Sequence, residues 1–93
     1  MNTTLSFTVD NKTYVSKEFD FEAFCLINDN HGTEGENYIR WSYRAVEYMF
    51  RGTDATAEII AALPIAERVR MCMDAWDMYA DTLKNVKRRP HTV

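Results

Sequence analysis

The chain has 93 residues, of which 46% are hydrophobic and 13% aromatic, and a formal net charge of −3. That length holds one modest core and therefore one domain, and the acidic balance argues against wholesale nucleic-acid binding. No run approaches the length of a membrane span, and the polar start MNTTLSF lacks the basic-then-apolar order of a signal peptide, so the expectation is a cytosolic chain.

Residues 4–9, TLSFTV, alternate polar with apolar and place Leu5, Phe7 and Val9 on one face of a strand. After Asp10-Asn11-Lys12, residues 13–17 (TYVSK) offer a second β-prone run. Asp and Asn tolerate positive φ, so the spacing predicts a tight hairpin. Two strands alone are marginal in water, so their apolar face must rest on helices or on another subunit.

At Phe19-Asp20 the period changes. Asp20 is a good N-cap and Phe19 a staple residue before it. The following pattern predicts a helix over residues 21–30, with Phe21, Phe24, Cys25 and Asn28 on one side and Ile27 beside them. His31-Gly32 closes it, with His31 placed as a cap against the helix dipole and not as a ligand or base. Thr33 and Glu36 form a capping-box pattern for a second helix over residues 34–51, stopped by Gly52. Tyr38, Ile39, Trp41, Ala45, Val46, Tyr48, Met49 and Phe50 make this helix apolar almost all round, leaving Arg40, Arg44, Glu47 and Arg51 as a narrow polar strip. Such a helix is either central or shared with a neighbouring molecule, and the shortness of the chain favours sharing.

Thr53 or Asp54 is then expected to cap a short helix in ATAEIIAAL, ending where Pro64 restricts Leu63. Residues 63–87 read as one long amphipathic helix, with Pro64 suited to its first turn. Ile65, Val69, Cys72, Met73, Trp76, Tyr79, Ala80 and Leu83 recur three and four apart and form the expected core face. Glu67, Arg70, Asp74, Asp77, Asp81 and Lys84 lie opposite, with Arg70 and Asp74 one turn apart and able to pair. Met71, Ala75 and Met78 form a third strip, which reads as core edge or as a partner-binding surface. The helix gives out near Arg88, and residues 89–93 read as a frayed tail.

No catalytic constellation assembles from these residues. Cys25, Cys72, His31 and His91 are scattered and lack metal-ligand spacing, and the three glycines punctuate helices without forming a phosphate loop. The serines lack a His–Asp context, and neither cysteine sits among cations. Both cysteines read as buried free thiols, a Cys25–Cys72 disulfide being the other possibility. Nucleic-acid binding would rest on Arg40, Arg44 and Arg51 and on the basic end Lys84, Lys87, Arg88 and Arg89. The competing reading pairs Arg40 and Arg44 with Glu36 and Glu47 and assigns the basic end to the helix dipole. The expectation is thus no enzyme, no cofactor, no metal and no membrane partner.

The order of elements resembles a known family. The run NKTYVSKEFDFEAFCLIND, residues 11–29, is similar to the opening of small tail assembly chaperones of long-tailed bacteriophages and prophages. The run GTDATAEIIAALPIAERVRMCMDAWDMYADTLKN, residues 52–85, looks like their closing helices. The polar connection at residues 28–37 and the aromatic second helix depart from that pattern. The resemblance implies a non-enzymatic protein of the host bacterial cytoplasm, absent from the mature virion, that binds the tape measure protein and keeps its apolar helices soluble. It also implies self-assembly and, in many members, a frameshifted longer form that recruits the tail tube protein. The alternatives are a small phage or plasmid regulatory protein that binds nucleic acid, or a structural tail completion protein.

Together these readings predict a single mainly α domain of the α+β class over residues 1–93: an N-terminal β-hairpin (1–18), then a body of about four helices (19–88) whose last is long and amphipathic. Tyr38, Trp41, Tyr48, Met49, Met71 and Met78 are the expected protein-binding residues of a homo-oligomer or client complex.

Overall fold

In a computed structural model of the chain, the described residues are 2–30 and 38–86. The first strand, β1 (Ser6–Val9), pairs antiparallel with β2 (Lys12–Val15), Phe7 opposite Tyr14 and Thr8 opposite Thr13. Asp10 and Asn11 both take positive φ, 49° and 66°, which is the backbone of a two-residue type I′ turn. Leu5 and Phe7 are buried and Val9 packs against the same core, so the alternation reads as expected. Phe7 stacks on Tyr14 at 5.0 Å and meets Phe50 edge-on at 5.3 Å. Past β2 the ladder is extended by side chains. Ser16 N donates to Leu5 O, while Ser16 Oγ accepts from Leu5 N (2.8 Å) and donates to Lys17 O (2.7 Å). Lys17 N then donates to Met49 O, joining the hairpin to the end of the second helix.

Helix α1 (Phe21–Asn30) begins as the sequence predicts: Ala23 N donates to Asp20 Oδ1 at 2.9 Å. Its inward face, however, is Ala23 and Ile27, with Phe24 packed beside them. Phe21 is 75% exposed and Asn28 is also at the surface, because Ala23 and Ile27, one turn apart, set the inward line and Phe21 and Asn28 lie more than a quarter-turn from it. His31, Gly32, Thr33, Glu34 and Glu36 lie outside the described residues, and with them the expected stop of α1 and the expected capping box.

Helix α2 (Tyr38–Phe50) packs along both α1 and α4, with the hairpin against its last turn. Trp41, Ser42, Ala45, Val46, Met49 and Phe50 are buried. Of the two readings of so apolar a helix, central or shared with a neighbour, the central one describes these residues, since the hairpin, α1 and α4 of the same chain bury them. Arg40, Arg44, Glu47 and Arg51 are exposed, as the narrow polar strip requires. Gly52, at φ +80°, stops the helix in the left-handed conformation while Thr53 N bonds back to Phe50 O.

Helix α3 (Ala57–Ala61) is capped by Thr56, whose side chain accepts from Ile59 N. Neither Thr53 nor Asp54 caps it. Thr53 Oγ1 instead donates to Phe50 O and accepts from Ala55 N, closing the turn after α2. Helix α4 (Ile65–Lys84) has Pro64 as its N-cap, one position before the first helical residue. The helix ends at Lys84 with Asn85 as its C-cap, about a turn earlier than the end expected near Arg88, because Asn85 N bonds back to Asp81 O and Thr82 O and closes the last turn; residues 87–93 lie outside the described residues.

The rotation of α4 is the main correction to the sequence reading. Met71, Cys72, Ala75, Met78 and Tyr79 are its buried residues. Ile65, Met73 and Leu83, expected in the core, are 73%, 46% and 47% exposed. The strip Met71–Ala75–Met78, read as core edge or partner surface, is the centre of the core face. The physical reason is the width of the apolar arc, which covers roughly 220° of the helix. One neighbouring helix cannot cover such an arc: α2 meets α4 beside Trp76 and Cys72, while Arg70, on the charged side, reaches β1. Arg70 bonds Glu67 Oε2 (2.9 Å), Asp74 Oδ2 (3.0 Å) and Ser6 O (2.8 Å), tying the charged side of α4 to the hairpin.

Candidate protein-binding groove

Of the six residues expected at an interface, four are folded inside the chain. Trp41 and Met78 are 5% and 6% exposed, and Met49 and Met71 are fully buried, so all four belong to the chain's own core. Tyr48 is half-buried: its hydroxyl donates to Asp20 Oδ2 at 2.9 Å, and Lys17 lies 4.9 Å over its ring. That bond to a carboxylate is the largest influence raising the Tyr48 pKa. Tyr38 remains at the surface, 37% exposed, with its ring 5.4 Å from Trp76. Trp76 in turn lies 6.0 Å from Trp41 and 5.2 Å from Tyr79, whose ring meets Phe24 of α1 at 4.9 Å. This aromatic chain joins α1, α2 and α4. Tyr79 Oη closes it by donating to Asn28 Oδ1 at 2.8 Å.

The surface left over lies elsewhere. Ile39, Arg40 and Tyr43 from α2 and Ile65, Arg68, Val69 and Cys72 from α4 line an open groove of about 300 Å³. Val46, Met71 and Ala75 of the two helices belong to the same buried core, while Ile65, on the first turn of α4, stays uncovered. Apolar side chains dominate its lining, Arg40 and Arg68 supply its charge, and among the described residues no carboxylate lines it. Arg68 Nε is buried and, among the described residues, finds no hydrogen-bond acceptor. Burial pushes the Cys72 thiol up to about 11, so at neutral pH it lines the groove as a small apolar group and not as a nucleophile. From this groove the exposed apolar stripe continues along α4 through Met73 to Leu83.

Two other concavities differ in character. One, of about 340 Å³, lies between the end of α2 and α3, lined by Tyr43, Phe50, Thr56 and Ile60 among others. Another, of about 510 Å³, is acidic, formed by Asn2 with Asp74, Asp77 and Asp81. Among the described residues, no group of three or more His, Cys, Asp or Glu side chains is placed to hold a metal ion. Both cysteines are free thiols, and no helix is long and apolar enough to cross a membrane among the described residues.

Sequence reasoning missed the groove although its residues were in view. The signal was the excess of apolar positions on α4: Ile65, Val69 and Met73 together with Met71, Ala75 and Met78 exceed what one packed face uses. The chain matches no family model, no curated protein sequence and no solved structure.

Proposed function

We propose that this chain is a non-enzymatic chaperone of the phage tail assembly type, which binds apolar helices of the tape measure protein and keeps them soluble in the host cytoplasm. The observation that carries the reading is the second apolar stripe of α4, from Ile65 through Val69 and Met73 to Leu83, which the chain's own core leaves open. Burying one large apolar side chain is worth about 1.5–3 kcal/mol, so several in a row favour a helical client or a second copy over water. The succession of hairpin, Phe-Asp-Phe helix start and long closing helix supports the same reading. In this proposal the protein self-associates when no client is present, engages the tail tube protein through a longer form, and leaves before the particle is complete.

Co-expression with the tape measure protein of the same genome tests it directly. The client should move from the pellet to the soluble fraction and co-purify with this chain, and purified particles should lack the chain. A client equally insoluble with and without the chain sinks the reading. A chain found in finished particles points to a tail completion protein instead, and steeply salt-dependent retention on DNA points to a regulator using Arg40, Arg44 and Arg51.

A further inference from the structure

Building on that client-binding reading, we infer that the α2–α4 groove selects one kind of segment: an amphipathic helix carrying a carboxylate within a turn of its apolar anchors. The shape of the site argues for a helix. Ile39 and Tyr43 lie one turn apart on α2, and Ile65 and Val69 one turn apart on α4, so two apolar ridges flank a trough. Such a trough receives side chains spaced three and four apart, the spacing a helix presents. A cavity of about 300 Å³ is too small for a folded surface to enter but large enough for a few aliphatic anchors.

Charge argues for the carboxylate. The molecule as a whole is acidic, with a net charge of −3, yet Arg68 brings a guanidinium group to this groove and, among the described residues, no carboxylate lines it. Arg68 Nε is already buried without an acceptor among them. A Glu or Asp side chain seated in the groove meets the guanidinium of Arg68 in a charge-assisted hydrogen bond, whereas a basic segment meets like charge and a neutral one leaves the cation without a counter-ion. The apolar floor thus sets affinity, and Arg68 sets which helices are accepted.

A library of displayed, helix-biased random peptides selected against the full chain tests this whatever the client proves to be. The expected consensus has aliphatic residues three and four apart and an Asp or Glu one turn from the first. With the synthetic consensus peptide, fluorescence anisotropy should show about a tenfold loss of affinity for Arg68→Gln and a partial recovery for Arg68→Lys. Exchanging the peptide's Glu for Gln should cost the wild-type protein a similar factor and cost Arg68→Gln nothing more. Val69→Asp should abolish binding, and melting curves of all variants should show that the fold persists. No enrichment, a neutral or basic consensus, or Arg68→Gln binding as wild type overturns the inference. If the peptide fails while the tape measure protein still co-purifies, the groove assignment falls alone. If the peptide binds but the client does not, the chaperone reading falls and the groove stands.

Discussion

Asp20 holds two elements at once. Its carboxylate accepts from Ala23 N, capping α1, and from Tyr48 Oη, tying that cap to α2. The bond from Ala23 N is the main reason its pKa lies below the ordinary carboxylate value, with Tyr48 and Lys17 adding to it against a desolvation penalty. A depressed folded pKa means that the ionised form stabilises the fold above the unfolded value of about 3.9, and that this contribution is lost as pH falls through the folded value. Asp20→Ala should therefore cost about 1 kcal/mol at neutral pH. The gap in urea midpoint between Asp20→Asn and wild type should narrow as pH falls below about 4, and a gap that stays constant with pH would show that the charge is not what matters. Gly52 makes a separate, purely backbone argument. At φ +80° with nothing within 4 Å of a would-be Cβ, Gly52→Ala meets conformational strain and no clash. Its expected cost is about 1 kcal/mol, and Gly52→Asn should cost less because Asn visits this region more readily. Thermal melts of the two variants check the order.

At the scale of elements, the orientation of α4 decides which methionines are structural. Met71 is fully buried in contact with the core cluster and Met73, two residues on, is 46% exposed. Met71→Ala should cost about 2–4 kcal/mol, and Met73→Ala less than about 0.5 kcal/mol. Equal effects, read by denaturant unfolding, would mean that the helix sits rotated from the face described. Trp41 belongs with Met71. It is buried between α2 and α4 in the aromatic chain through Trp76, so its truncation acts on stability before it acts on any association. The hairpin is the complementary case: marginal by itself, it persists because Leu5 and Phe7 are buried in the core with Phe7 against Phe50 of α2, Lys17 N reaches Met49 O, and Arg70 reaches Ser6 O from α4.

The whole molecule combines a closed core with an open face. The core of hairpin, α1, α2 and α4 accounts for the buried aromatics that the sequence made conspicuous, so in the proposed function self-association is expected to use the exposed α4 stripe. Static light scattering across micromolar concentrations should then give a mass above 10.9 kDa that falls towards it in Met73→Glu and Ile65→Glu. A monodisperse monomer for the unaltered protein would remove self-association from the reading and leave the stripe to a client alone.

Much of the architecture was legible because local chemistry is sufficient to specify it. The Asp10-Asn11 turn, the Asp20 cap and the Gly52 stop each depend on the backbone preference of one or two residues. The mainly helical order after a single hairpin follows from a hydrophobic period that changes once, at Phe19-Asp20. The sequence by itself therefore determined the elements and their order. Only the tertiary structure decided which part of each apolar arc is inside. Periodicity shows that Ile65, Val69, Met71, Met73, Ala75 and Met78 are apolar and on a helix, but a surface wider than one neighbour can cover has no local residue to mark its inner edge. That edge was settled at long range, by α2 and α4 burying Val46, Met49, Met71 and Ala75 in one core, by Trp41 meeting Trp76, and by Arg70 finding Ser6, all between segments far apart in the chain.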